Sequence, residues 1–415
     1  MRAAVISIGS ELVRGRTVDT NSAWLSGELF QLGIPVSYHL TAGDDLDGIV
    51  RVLEAAADWA DLVISTGGLG PTQDDLTRDA LAKVAGTPLV LHEESLRRIQ
   101  ERFERMGRSM PARNRVQALV PDGAEVIPND HGTAPGIWLE LDRPGGRRAL
   151  IALPGVPTEM KRMFCEQVRP MLKRRFDLRR VFVERKLQVF GAGESHVEEL
   201  LLDLTRRGRD PEVGITVHEA TISIRVVTSG HDEQEALNRM EPTVRTIYER
   251  LGELIYGEGD EELEDAVARE LRRLRLTVAV AEGCTGGVLQ RRLTRPPGAT
   301  RWFRGGLSAY TNDVKKELLR IDGGLMEAKG AASEEVACRM AEAARILFKA
   351  DLGVATVGFA GPQPAEAAGL IWTAVASDER VTCEAYQSLG DRESIQERGA
   401  KAALNHLRRR LKRSL

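Results

Sequence analysis

Hydrophobic and polar positions along this chain follow two alternating rhythms. Short β-branched runs at 3–8, 35–40, 62–66 and 149–153 predict strands, while 21–32, 46–59, 76–85 and 93–106 carry apolar residues at helical spacing. Strand and helix in alternation imply an α/β domain on a largely parallel sheet covered on both faces, with ligands at the carboxyl ends of its strands. From 179 to about 252 the rhythm changes. A strand at 181–190, a helix at 194–204, strands around Ile215 and at 222–227 joined at 218–220, and a helix at 233–251 predict a small α+β unit, read as a spacer or assembly module. Alternation then resumes. Strands at 276–281, 306–310, 352–357, 370–376 and 381–389, with helices at 287–293, 313–319, 334–348 and a last one running to the end, predict a second α/β domain. The expected domains are therefore 1–175, 176–257 and 258–415.

Charge changes this picture little. Six of the eight residues from Glu258 to Asp265 are acidic. They stand just before the helical positions Leu263, Val267, Leu271 and Leu274, where acids favour the helix dipole by ~0.3–1 kcal/mol each when exposed, so they are read as a helix start rather than a metal site. Residues 401–415 hold six Lys or Arg and no acid. Without aromatics for base stacking, they are read as the solvated face of a final helix rather than a nucleic-acid arm. Over the 415 residues, 58 Lys and Arg oppose 61 Asp and Glu, so no global basic field exists to hold nucleic acid or an anionic membrane. Cys165, Cys284, Cys338 and Cys383 are far apart in sequence and include no C-x-x-C pair, which suits reduced thiols and a cytoplasmic setting. The apolar run at 3–6 is too short for a signal sequence, and no run approaches the ~20 residues of a membrane span. The seven histidines are dispersed without metal-ligand spacing.

Candidate chemistry concentrates at strand ends. The segment 66–77, T-G-G-L-G-P-T-Q-D-D-L-T, follows one predicted strand and opens a helix. Gly67, Gly68 and Gly70 let the backbone approach a ligand closely, their N–H groups suit an anion, and Asp74 and Asp75 suit a hard cation, so phosphate plus a divalent metal is the natural inference. The plainer reading is a tight turn with helix-capping acids. Three more loops lie at comparable ends: 9–12 (G-S-E-L) after the first strand, 132–136 (G-T-A-P-G) before another, and 154–160 (P-G-V-P-T-E-M) after a third. Turn chemistry alone would account for their glycines and prolines, and a helix start for Glu159.

These segments, with D-T-N at 19–21, resemble in order and density the N-terminal domain of the CinA family of competence and damage-inducible proteins. The resemblance implies a molybdopterin-binding-like fold, as in MoaB and MogA, and metal-dependent hydrolysis of ADP-ribose to AMP and ribose 5-phosphate. It places Asp74, Asp75 and Glu11 in the catalytic role and Gly67, Gly68, Gly70, Thr72, Asn21, Thr133, Gly155 and Glu159 around a small nucleotide. The cation, Mg2+ or a transition metal, would be held by some of Asp74, Asp75, Glu11 and Glu159. Many relatives have Asp where Ser10 stands.

A second constellation begins with A-E-G-C-T-G-G at 281–287. It continues with 305–315 (G-G-L-S-A-Y-T-N-D-V-K), 330–336, 358–362 and 390–393, and resembles the CinA C-terminal domain, whose relatives include nicotinamide mononucleotide deamidases. Members with that activity carry A-E-S-C-T-G-G, use the serine as nucleophile, and are assisted by a Tyr and a Lys that correspond to Tyr310 and Lys315. Here Gly283 stands at the serine, and a residue without a side chain forms no acyl intermediate. Cys284 also occurs in active relatives and is read as a small buried thiol. Thr285 and Ser308 lack a base in line. Val357 replaces a threonine, and the loop 362–369 is short and lacks its glycine series. Gly283, Cys284, Thr285, Tyr310, Lys315 and Arg392 are thus expected to outline a degenerate pocket.

The leading expectation is a cytoplasmic, metal-dependent ADP-ribose pyrophosphatase that acts on a small nucleotide, with no nucleic-acid or membrane partner and as a homodimer. One alternative keeps nicotinamide mononucleotide deamidation through a substitute nucleophile. Another is a non-catalytic nucleotide- or pterin-binding regulator.

Overall fold

The strands of the N-terminal region are β1 (Ala3–Ile8), β2 (Val36–Ala42), β3 (Leu62–Thr66), β4 (Leu89–Leu91), β5 (Leu119–Pro121), β6 (Glu125–Ile127), β7 (Gly136–Arg143) and β8 (Gly146–Leu153). Every residue of β1 and β3 is buried, as expected of strands covered on both faces. Alternation then assigns the faces. Ala4, Ile6, Ile8 and Val63 join Leu53, Ala56 and Leu81 in one core, while Ala3, Val5, Leu62 and Ile64 join Leu25, Leu29, Met160 and Phe164 in the other. The helices Leu46–Trp59 and Thr77–Ala85 therefore cover one face, and Thr20–Gln31 with Pro157–Met163 the opposite one. The sheet order is β2-β1-β3-β8-β7-β6. The expectation of a largely parallel sheet holds for β2, β1, β3 and β8, and the sheet is extended by β7, antiparallel to β8, and by β6, antiparallel to β7.

The computed structural model describes residues 1–178, 180–361 and 368–412. Its contacts form two compact units: Met1–Val183 with Ser229–Leu237, and Glu184–Thr228 with the chain from Asn238 onward. Most of the second unit is built on two sheets. One has the order β10-β11-β9-β12, from β9 (Val181–Val189), β10 (Glu212–His218), β11 (Thr221–Gly230) and β12 (Ile255–Glu258). Its β10–β11 hairpin turns on Glu219 and Ala220, both at positive φ (45° and 61°), which suits a two-residue turn between twisted strands. The other sheet has the order β14-β13-β15-β16-β17, from β13 (Val278–Glu282), β14 (Phe303–Ser308), β15 (Leu352–Gly358), β16 (Leu370–Ala376) and β17 (Val381–Gln387). β14, β13 and β15 are parallel and β16 and β17 antiparallel. Val278, Val280 and Val354 pack with Leu263, Leu271, Leu404 and Leu407 on one face, and Ala281, Ala355 and Val357 with Val336 and Met340 on the other.

Two charge runs depart from the sequence expectation. In the acidic run, Glu262 and Asp265 do cap the helix Leu263–Leu274 through a reciprocal capping box. Glu264, however, is fully buried, accepts a hydrogen bond from Arg292 at 2.8 Å and forms an ion pair with Arg295 at 3.2 Å. The basic run is not a solvated face either. In the helix Arg392–Lys412, Lys401, Asn405, His406 and Arg408 are buried. Lys401 Nζ donates to the Glu219 carbonyl (3.0 Å) and the Thr221 hydroxyl (3.2 Å), and Arg408 donates to the Glu253 carbonyl (2.6 Å) and to Asn405 Oδ1. Burial pushes the Arg408 guanidinium down to about 10. These cations serve as donors to backbone carbonyls at the β10–β11 turn and just before β12. The last residues of the basic run, 413–415, and residues 362–367 of the loop read as short lie outside the described residues.

Breaking a buried ion pair from one side leaves the other charge uncompensated, at a cost of ~3–5 kcal/mol. Arg292 keeps a second carboxylate, Glu397, at 3.0 Å. Glu264→Ala is therefore expected to destabilise the fold by about 3 kcal/mol, near the low end, read as a lowered urea midpoint. A midpoint equal to that of the unaltered chain would show that the pair adds nothing.

Candidate functional site

In the N-terminal unit the carboxyl ends of the adjacent parallel strands β1, β3 and β8 bring several expected residues together. Gly67 and Gly68 have φ of 107° and 67°, a region that glycine enters freely. A β-carbon at Gly67 would lie 2.1 Å from the Ile8 carbonyl oxygen at the end of β1, and one at Gly68 2.2 Å from Thr77 Oγ1. No other residue fits either position. Gly155, after β8, stacks on Gly67, its would-be β-carbon 3.2 Å from the Gly67 Cα. Asn21, in the first turn of its helix, spans the same strand ends by donating to Gly155 O (2.9 Å) and Thr66 Oγ1 (3.2 Å). Its Oδ1 is buried and has no partner among the described residues.

The two aspartates differ in role. Asp75 holds the turn, Oδ1 accepting from the Gly70 N–H and Oδ2 from the Thr72 N–H, each at 2.8 Å, with the Thr72 hydroxyl as a further donor. Asp74 is exposed, and hydrogen bonding from Thr72 and its own backbone lowers its carboxyl below the ordinary aspartate value. The expectation that all three glycine N–H groups face a ligand needs correction. Gly70 donates to Asp75 and Gly67 to the Leu153 carbonyl, which leaves Gly68 without a protein acceptor among the described residues. Thr77 closes the turn from within through its hydroxyl to the Gly67 carbonyl (2.7 Å).

Arg78 was not anticipated. It is buried beneath the turn and donates to the Leu69 carbonyl (2.7 Å) and the Gly70 carbonyl (2.9 Å). Burial lowers its pKa, with Asp75 and Asp79 opposing. The only sequence signal was a cation immediately after an acid-rich helix start.

Glu159 and Thr133 belong to a neighbouring cluster. Glu159 accepts from Asn129 Nδ2 (2.9 Å), whose Oδ1 accepts the His131 and Gly132 N–H groups, and the Glu159 carboxylate lies where a β-carbon of Gly132 would stand. Thr133 lines a groove of about 790 Å³ along the helix Glu93–Arg105, whose walls do not include the glycine turn. Glu11 folds its carboxylate back onto Gly9 at the end of β1. Among the described residues, no three of Asp74, Asp75, Glu11 and Glu159 form a group that could hold a metal.

The C-terminal constellation is built around a residue that sequence reading passed over. Glu282 ends β13 fully buried, Oε2 accepting from the Gly287 and Leu289 N–H groups and Thr285 Oγ1, and Oε1 from the Gln290 N–H, all within 3.0 Å. It satisfies the first N–H groups of the helix Val288–Thr294, an anion supplied from inside the protein. Gly283 donates to the Thr356 carbonyl (2.7 Å), and a β-carbon there would lie 3.1 Å from that same oxygen. Burial pushes the Cys284 thiol up to about 12. Lys315 is buried and donates to the Ala331 carbonyl (3.0 Å), with burial lowering its pKa. Tyr310, exposed, is bonded to Arg392.

Three family comparisons cover nearly the whole chain. Residues 4–174 match a probable molybdopterin binding domain, 184–257 the damage-inducible protein CinA KH domain, and 260–411 the CinA C-terminal domain. A CinA-like protein of Dictyoglomus thermophilum is 40% identical over 414 residues, 99% of each chain, and one of Dictyoglomus turgidum is 41% identical over 363 residues, covering 88% of this chain and 87% of its own. A crystal structure of CinA from Thermoplasma acidophilum is 36% identical and spans 41% of this chain and 97% of its own, with a TM-score of 0.37. With a full-length relative at this identity and all three domain types in order, the chain belongs to the CinA family.

Proposed function

We propose that the N-terminal domain hydrolyses the diphosphate of an ADP-ribose-like nucleotide to AMP and ribose 5-phosphate with a divalent cation, and that the C-terminal domain does not deamidate nicotinamide mononucleotide. The observation that carries the first part is the unpartnered, buried Asn21 Oδ1 at a strand end that also carries the exposed Asp74 carboxylate. A buried acceptor without a donor calls for one, and a ribose hydroxyl or a water of a hydrated cation supplies it. Mg2+ is usually held by one or two carboxylates together with substrate phosphates, a donor set that Asp74, with Glu11 as second candidate, fits. Bound there, the cation would neutralise diphosphate charge and acidify a water. The chain's own residues do the rest. Gly68 offers its N–H to a phosphate oxygen, Asp75 keeps the turn in shape, and Asn21 orients the ribose side.

For the C-terminal domain, Gly283 supplies no nucleophile, and a thiol held near 12 is protonated at neutral pH, which disfavours Cys284 as its substitute. The close approach to Thr356 requires a shift of only a few tenths of an ångström to admit a serine at 283.

Incubating the purified chain with ADP-ribose and Mg2+ or Mn2+ should release AMP, and chelation should stop it. Asp74→Ala should lower kcat/KM roughly a hundredfold or more. Full activity in that variant would remove Asp74 from the site, and no AMP with any metal would favour a non-catalytic nucleotide- or pterin-binding role. With nicotinamide mononucleotide no ammonia is expected. Gly283→Ser should fold with a loss of about 1 kcal/mol by thermal melting, the low end for added atoms in a packed site, so that its assay tests chemistry rather than folding. Ammonia released by the unaltered chain and lost in Cys284→Ala would sink the second half of the proposal.

A further inference from the structure

The helices on one face of the C-terminal sheet carry more apolar surface than the core uses. In the helix Glu334–Leu347, Val336, Met340 and Ala344 recur every four residues and pack with Ala355 and Val357 of β15 and Ala374 of β16. A second row on this helix, Arg339, Ala343 and Ile346, lines a cleft of about 400 Å³ instead. The same cleft is lined by Leu318, near the end of the helix Asn312–Leu319, and by Leu325 of the helix Gly323–Lys329. Leu319 and Ile321 in its lining belong to the buried core, but Leu318, Ile346 and Leu347 do not. These three are 56%, 67% and 50% exposed, and all stand around this one cleft. Scattered aliphatic side chains are ordinary on a protein surface, whereas contiguous ones mark an interaction site.

Charge and shape point to the same occupant. The rim carries both signs in equal number, Arg320 and Arg339 against Asp322 and Glu342. Arg339 and Glu342 pair with each other at 2.8 Å. Arg320 has no side-chain acceptor among the described residues, and Asp322 uses Oδ2 to accept the Leu325 N–H (3.0 Å), which leaves Oδ1 free. A partner of one charge sign would satisfy only one of these two groups. A second copy related by a two-fold axis satisfies both, because residue i meets j while j meets i. The shape has the same property, since a pit and exposed aliphatic side chains lie side by side on one surface. A cavity of about 150 Å³ takes a benzene ring, so a cleft of about 400 Å³ has room for two aliphatic side chains from a second copy.

We propose that this patch is the surface through which two copies of the chain join about a two-fold axis. Ile346 and Leu347 of each copy enter the cleft of the other, and Arg320 of each pairs with Asp322 of the other. The sequence expectation of a homodimer named no surface. This one lies wholly within the C-terminal unit, and its role does not depend on what either candidate site does.

Sedimentation equilibrium of the full chain at micromolar concentration should give twice the 45.6 kDa of one copy. Ile346→Glu, a change at an exposed position, should give a single copy with an unaltered circular dichroism spectrum. Arg320→Gln and Asp322→Asn remove the two charges, and asparagine keeps the helix cap that Asp322 supplies. Each should raise the dimer dissociation constant about tenfold, and the double variant should lose no more than either single one, because both remove the same ion pairs. A single copy in the unaltered chain would overturn the proposal and leave the patch to a different protein. A dimer that survives Ile346→Glu would also overturn it, by placing the contact elsewhere, and so would losses that add in the double variant. If Ile346→Glu does not fold, the Arg320 and Asp322 variants decide, and a dissociation constant unchanged in both would count against this surface.

Discussion

Strands buried on both faces set the terms for both candidate sites. A strand such as β3 or β13 is covered on both faces, so the chain leaving its carboxyl end passes through a glycine-containing turn into a covering helix, which begins at Thr77 after β3 and at Val288 after β13. That turn exposes N–H groups with no strand partner, in a place where burial makes unpaired groups costly. The protein resolves this in the same way twice. After β3, the Asp75 carboxylate accepts the N–H groups of Gly70 and Thr72. After β13, Glu282 accepts those of Gly287, Leu289 and Gln290.

The two clasps differ in what they leave open. In the N-terminal turn the clasp comes from beyond the glycines, so Gly68, Asp74 and the Asn21 amide oxygen keep unused valence. In the C-terminal turn the clasp comes from the strand itself and fills the helix N-terminus, so the space at Gly283 is bounded by the Thr356 carbonyl rather than by a donor. An identical mechanical problem thus yields one turn clasped from beyond its glycines and one clasped by the carboxylate of the strand itself. Arg78 beneath the first turn extends the logic, since its guanidinium answers the Leu69 and Gly70 carbonyls that the glycine geometry turns inward.

Much of this architecture was legible in the chain because periodicity is local. The strands Ala3–Ile8 and Leu62–Thr66 and the helix Leu46–Trp59 lie where their apolar spacing put them. A strand after Gly136 was expected and is β7, but its antiparallel pairing and the three-residue β6 beyond it were not visible, because pairing direction is not written in the periodicity of a single strand. Charge runs misled for a different reason. Composition cannot tell a solvated carboxylate from Glu264, whose partner Arg292 is 28 residues away, or a surface lysine from Lys401, whose acceptors lie 180 or more residues away.

What the sequence determined by itself was the order of elements, the glycine turns at strand ends, and the absence of a side chain at Gly283. These are properties of neighbouring residues or of single positions. Only the tertiary structure decided which aspartate of the Asp74–Asp75 pair holds the loop, and that Glu282 caps the helix that follows its own strand. Each of those depends on hydrogen bonds whose geometry arises when the chain folds back on itself, and residue identity and spacing carry no information about a direction in space.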